Sequence, residues 1–80
     1  MYHSLWKSVL GEIEVSIPSG VFSTWFANTE MLSNKDGVIT IGVANIFAIR
    51  QFEVRYDSIV KEALQHSGVE VSRIAYVVNK

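Results

Sequence analysis

The apolar residues of this 80-residue chain change their spacing twice. From Leu5 to Ile17 they recur at helical intervals. Between Thr29 and Val43 they alternate, and after Asn45 the helical spacing returns. A helix places neighbours on one face every 3.6 residues and a strand every two, so neither pattern suits the other element. Strands and helices do not alternate regularly either. The chain is therefore confined to a small α+β domain, with helices packed on a sheet.

Ser4 is a suitable cap for a first helix from about Leu5 to Ile17. Leu5, Trp6, Val9, Leu10, Ile13 and Ile17 share a broad arc of it, and Pro18 breaks the pattern. Ser19 is a second cap candidate, before Val21, Phe22, Trp25 and Phe26. Thr29–Asn34 and Val38–Val43 read as strands, joined through Asp36-Gly37, a strong hairpin signal. Ile39, Ile41 and Val43 should face the core. Asn45 is a good N-cap for a segment without Gly or Pro as far as Ser67. That segment is one helix, or two if Asp57 and Ser58 cap a fresh start. Gly68 fits a helix C-terminus, and Val69–Val78 reads as a last strand. The expected order is α-α-β-β-α(-α)-β around a three-stranded sheet.

Composition narrows the function. Nearly half the residues are hydrophobic (49%), too many for a disordered chain. The formal net charge is −1 and the seven basic residues are scattered, so there is no stripe to grip duplex DNA. Cysteine is absent, which excludes disulfides and thiolate zinc sites. No apolar run reaches membrane-spanning length, and Lys7, Glu12 and Glu14 interrupt any signal-peptide core. No phosphate-binding glycine loop occurs. His3 and His66 have no fixed spacing to a partner, and each reads as a surface histidine. Glu62 and His66, four apart, read as a solvated helical face. No catalytic, cofactor or metal site is expected.

On a wheel with Asn45 at zero, Phe52, Tyr56, Ile59 and Ala63 fall within ~40° of one another's mean direction, with Ile49 and Val60 close by. Phe47 and Val54 fall at about 200° and 180°, on the far side, flanked by Arg50 and Gln51. Such an exposed apolar strip marks a binding site. The bland alternative is that Phe47 folds back onto the second helix. Phe22, Trp25 and Tyr56 read as core. Val21 lies at the edge of its apolar face, beside Phe47, and Val15 is a plain exposed valine. Trp6 lies well inside the arc of the first helix, so periodicity alone makes it a core residue.

Four pieces carry a resemblance. They are Leu5-Trp6, then Phe22-Ser23-Thr24-Trp25-Phe26, then Ile39-Thr40-Ile41-Gly42-Val43 running into Asn45-Ile46-Phe47-Ala48, and finally Arg55-Tyr56 before an amphipathic helix and a valine-rich strand. In this order and spacing they resemble the N-terminal domain of the bacterial replication initiator DnaA. The resemblance implies a KH-like fold. It also implies a cytoplasmic interaction module, acting at the chromosomal origin in self-association, helicase recruitment and docking of regulatory proteins. It assigns self-association to Leu5 and Trp6, against the periodicity of Trp6, by an isologous dimer through the first helix. It assigns helicase and regulator contacts to Val21, Ile46, Phe47, Arg50 and Val54. ATP or ADP would bind elsewhere in the longer proteins, and the chain is expected to be a piece of one. It departs from the family at Ala44, where Pro is common, and at Gln51, where Trp is. Ile46 and Val21 stand where polar residues are usual.

The competing class is a KH-like domain that weakly binds single-stranded nucleic acid. Such domains clamp the backbone with a GXXG loop. The matching junction, Gly42-Val43-Ala44-Asn45, lacks the second glycine.

Overall fold

The computed structural model describes residues 2–79. Helix α1 (Tyr2–Glu14) is followed by a short α2 (Ser19–Val21) that runs on as a π turn, Phe22–Phe26. Strands β1 (Glu30–Lys35) and β2 (Val38–Val43) come next. Helix α3 (Ile46–Gln51) continues through a second π turn, Phe52–Tyr56, into α4 (Asp57–His66), and β3 (Arg73–Val78) closes the sheet. The fold is α+β in the expected order, a three-stranded mixed sheet with helices packed against it.

Strand β2 is central, antiparallel to β1 and parallel to β3. The hairpin turn is tight because Asp36 and Gly37 both take positive φ (53° and 85°), as a two-residue primed turn requires. Gly37 has a second constraint. Its carbonyl accepts hydrogen bonds from the amides of Ser72 and Arg73, which starts β3 beside the hairpin. The last strand therefore begins at Arg73 and not at Val69. Residues 69–72 are a connector whose Val69 and Val71 still pack on the core. In β1 the register slips between Met31 and Ser33, so Leu32 forms a bulge and remains exposed.

Other boundaries move by a few residues. Helix α1 begins at Tyr2, so Ser4 lies inside it. It stops at Glu14, with Ser16 bonding back to Ile13 and Glu12. Pro18 occupies the N-cap position of α2, and Ser19 is its first helical residue. Asn45 is the expected cap: its Oδ1 accepts the amide of Ala48 at 2.9 Å. Gly68 takes positive φ just past α4.

The segment after Asn45 is one helical run with an underwound turn in its middle. The cause is legible in the spacing. Ala48, Phe52, Tyr56, Val60 and Leu64 recur every four residues, and all five are buried or packed on the core. On a regular α-helix such a row drifts by about 40° per step. The wider π turn, with its i→i+5 bonds, takes up that drift. This corrects the uniform wheel, which omits Ala48 and Leu64 from the core.

The two π turns meet. Phe26 packs edge-on against Phe52 (ring centroids 4.9 Å apart) and Tyr56 (5.2 Å), and Tyr76 of β3 lies 5.2 Å from Phe52. Phe26 is the fully buried residue of the second helix, whereas Phe22 and Trp25 are only half-buried against the core. Because Phe52 joins helices to sheet, Phe52→Ala should cost about 3–5 kcal/mol, enough to consume much of a small domain's stability. A urea melt with the parent's midpoint would show that the ring does not hold these layers.

Candidate docking face on the third helix

The underwinding that keeps the row from Ala48 to Leu64 inward also fixes what points outward. Ile46, Arg50 and Val54 are likewise four apart, so they stack in one column, with Phe47 beside its first member. All four are exposed: Ile46 is 69%, Phe47 75% and Val54 72% accessible, and Arg50 is also solvent-facing. Phe47 therefore does not fold back onto the second helix. Ala48, immediately after it, is buried, because the Asn45 cap sets the phase of the first turn. The column spans about 12 Å at 1.5 Å per residue. Val21 is half-buried on α2.

Trp6 and Leu5 sit elsewhere, on α1. Trp6 is only 3% accessible, and its indole N–H donates to Thr29 Oγ1 at 3.0 Å. Thr29 in turn donates to the carbonyl of Phe26 at 2.6 Å. This chain satisfies the polar atoms of two buried side chains and ties α1 to the end of the second helix. Periodicity is thus right about Trp6. Leu5 is half-buried against the same core. The edge of Trp6 lines a groove of about 410 Å³ with His3, Lys7, Leu10, Glu30 and Met31.

Two electrostatic contacts escaped the reading of the sequence. Tyr76 donates its hydroxyl to Asp57 Oδ1 at 2.8 Å. Burial, then that hydrogen bond, then the charges of Asp57 and Glu53 push the phenol well above its ordinary range, so it stays a donor. The contact joins β3 to the start of α4, where the helical run leaves its π turn. His66 is on the surface, as expected, but its partner is remote: Nδ1 lies 2.7 Å from Glu12 Oε2 on α1. Nothing in sequence spacing links residues 54 apart. The Glu12 hydrogen bond and then its charge raise the His66 pKa above the ordinary 6.5, against slight desolvation, with a smaller contribution from Glu62.

Among the described residues, no group of His, Cys, Asp and Glu could hold a metal ion. No helix there is long and apolar enough to cross a membrane.

A family model described as the DnaA N-terminal domain matches residues 3–66. The chain belongs to that family. It is 30% identical over 78 residues to the chromosomal replication initiator protein DnaA of Deinococcus deserti, covering 98% of this chain and 17% of that protein. It is 32% identical over 72 residues to the DnaA of Thermus thermophilus, covering 90% of this chain and 16% of that protein. The chain thus spans about a sixth of the length of these relatives. It is a DnaA N-terminal domain.

The His66 contact has a definite pH signature. Its folded pKa is raised, so its stabilising effect is complete below the ordinary 6.5 and is lost as pH rises through the raised value. The parent should lose some stability on going from below 6.5 to above that value, and His66→Gln should show a flatter profile. Identical pH profiles in urea melts would contradict this assignment.

Proposed function

We propose that the domain is a protein–protein docking module of a chromosomal replication initiator. Its column Ile46, Arg50 and Val54, with Phe47 alongside, receives the replicative helicase and regulatory proteins, and Val21 on α2 is a further contact that the resemblance implies. One observation carries the reading. Three large apolar residues and an arginine share one outward face on a helix whose opposite face is fully committed to the core. Aromatic residues and arginine are the side chains that dominate interface energetics. A domain this small has little apolar material to leave uncovered without use.

Self-association is a second part of the proposal, and it centres on Leu5. Trp6 contributes mainly by holding α1 in place and only by its edge at the groove. The domain acts without catalysis of its own, and the ATP chemistry of the longer initiator would reside elsewhere in that chain. The setting is the cytoplasm, at the origin of replication. Binding of single-stranded nucleic acid is the weaker reading, because the loop before α3 lacks the glycine pair that clamps a backbone.

Two measurements test these assignments. Titration of isotope-labelled domain with the replicative helicase should shift amides around Phe47, Arg50 and Val54. Phe47→Ala should then weaken binding by about 2 kcal/mol, the size of an interface hot spot. Silence at those amides while others move would refute the face. For self-association, Leu5→Ser should sediment as a monomer at concentrations where the parent associates. Trp6→Ala is a poor probe, since it empties a buried site and removes the hydrogen bond that Thr29 Oγ1 accepts. Trp6→Phe keeps the core filled and should retain most of the association. A folded Leu5→Ser that sediments like the parent would remove Leu5 from the contact.

A further inference from the structure

The docking face has a charge at its centre. Arg50 lies one turn from Ile46 on one side and one turn from Val54 on the other, with Phe47 three residues before it. The ion pair found among the described residues is His66 with Glu12, on the other helices, so no carboxylate of these residues engages Arg50. Glu53 and Arg55 stand on either side of Val54 in the sequence, outside the column, and the charge of Glu53 is felt at Tyr76 of β3. The face therefore offers one net positive charge, fenced by aliphatic and aromatic side chains.

We propose that Arg50 is the specificity contact of this face, reading a single carboxylate set in an apolar patch of a protein partner. The inference rests on the docking reading above and names the chemistry of its occupant. Covering Ile46, Phe47 and Val54 strips water from Arg50 as well. A guanidinium losing water needs an acceptor, and a planar carboxylate accepts two of its N–H groups side by side. A partner without that carboxylate would leave the arginine buried and unpaired, a heavy penalty that excludes wrong surfaces. A nucleic-acid strand is a poorer match. It presents a row of hydrated phosphates, whereas the face supplies one net cation between residues that cannot bond to phosphate. Phe47 alone offers a base a stacking surface.

The test uses the 80-residue domain with the replicative helicase of the same organism as probe, and compares Arg50→Glu, Arg50→Lys and Phe47→Ala, each confirmed folded. Arg50→Glu should weaken binding at least tenfold, and Arg50→Lys should weaken it less, because the charge is kept and the fork is lost. Exchanging one helicase aspartate or glutamate for lysine should restore Arg50→Glu and harm the parent. If Phe47→Ala weakens binding while Arg50→Glu matches the parent, or if no single helicase carboxylate restores it, the carboxylate reading fails and the docking face stands. If both variants bind like the parent, the docking reading itself fails. Loss of labelled oligothymidylate binding on Arg50→Glu, with helicase binding intact, would assign the face to nucleic acid and overturn the proposal. A shift of Arg50→Glu towards monomer in sedimentation, with helicase binding unchanged, would assign it to a second copy and overturn it equally.

Discussion

The packing of Phe26 against Phe52 and Tyr56 is the interaction on which the rest of this domain depends. It joins the two helical segments, and through Tyr76 it joins both to the sheet. Each edge-to-face pair adds roughly 0.5–1.5 kcal/mol beyond the burial of its area. Its geometric effect matters more. Phe52 and Tyr56, four residues apart, present their rings to Phe26 from one side of the helical run, and both π turns sit where those rings are. A π turn sacrifices regular α bonding, and such turns occur often at functional sites. Here the link from core to surface is direct, because the same turn stacks Val54 over Arg50 on the outside.

The sheet supplies the fixed frame for this arrangement. Its register is pinned at one end by the Asp36-Gly37 turn, whose Gly37 carbonyl receives the start of β3. At the other end, the Asn79 amide bonds to the carbonyl of Val43. Between these points Ile39, Ile41 and Val43 face the helices and are fully buried, paired with Ile74, Tyr76 and Val78 in β3. Two residues after Val43, Asn45 caps α3. The phase of the exposed face of α3 is thus set from the central strand through a one-residue link.

Most of the fold was legible because it is written in local terms: period, the Asn45 cap, the hairpin dipeptide and Gly68. Phe47 and Val54, flanked by Arg50, were legible on the helical wheel, whereas Ile46 entered only through the resemblance. What failed was whatever depends on distant contacts. A uniform wheel cannot know that the turn at Phe52–Tyr56 is wide, so it left Ala48 and Leu64 out of the core. Pattern density made Phe22 and Trp25 core, but only one ring of that helix, Phe26, fits between Phe52 and Tyr56. The Glu12–His66 and Asp57–Tyr76 contacts join separate elements and leave no trace in spacing. Trp6 shows the reverse case, since its periodicity correctly describes a buried residue.

That burial changes what a contact residue means at this end of the molecule. A side chain 3% accessible, with its N–H committed to Thr29, has little surface to offer a partner. It still controls the position of Leu5, and with it the groove wall shared by His3 and Lys7. Truncating Trp6 would thus disturb the seating of α1, so loss of the proposed self-association in such a variant would be no proof of contact. The α3 face differs physically. Ile46, Phe47, Arg50 and Val54 stand clear of the core, so truncating them removes exposed surface and leaves the packed layers intact. Surface substitutions of that kind change stability by about 0.5 kcal/mol at most. Binding can therefore be read at this face almost free of folding, whereas at Trp6 the two are inseparable.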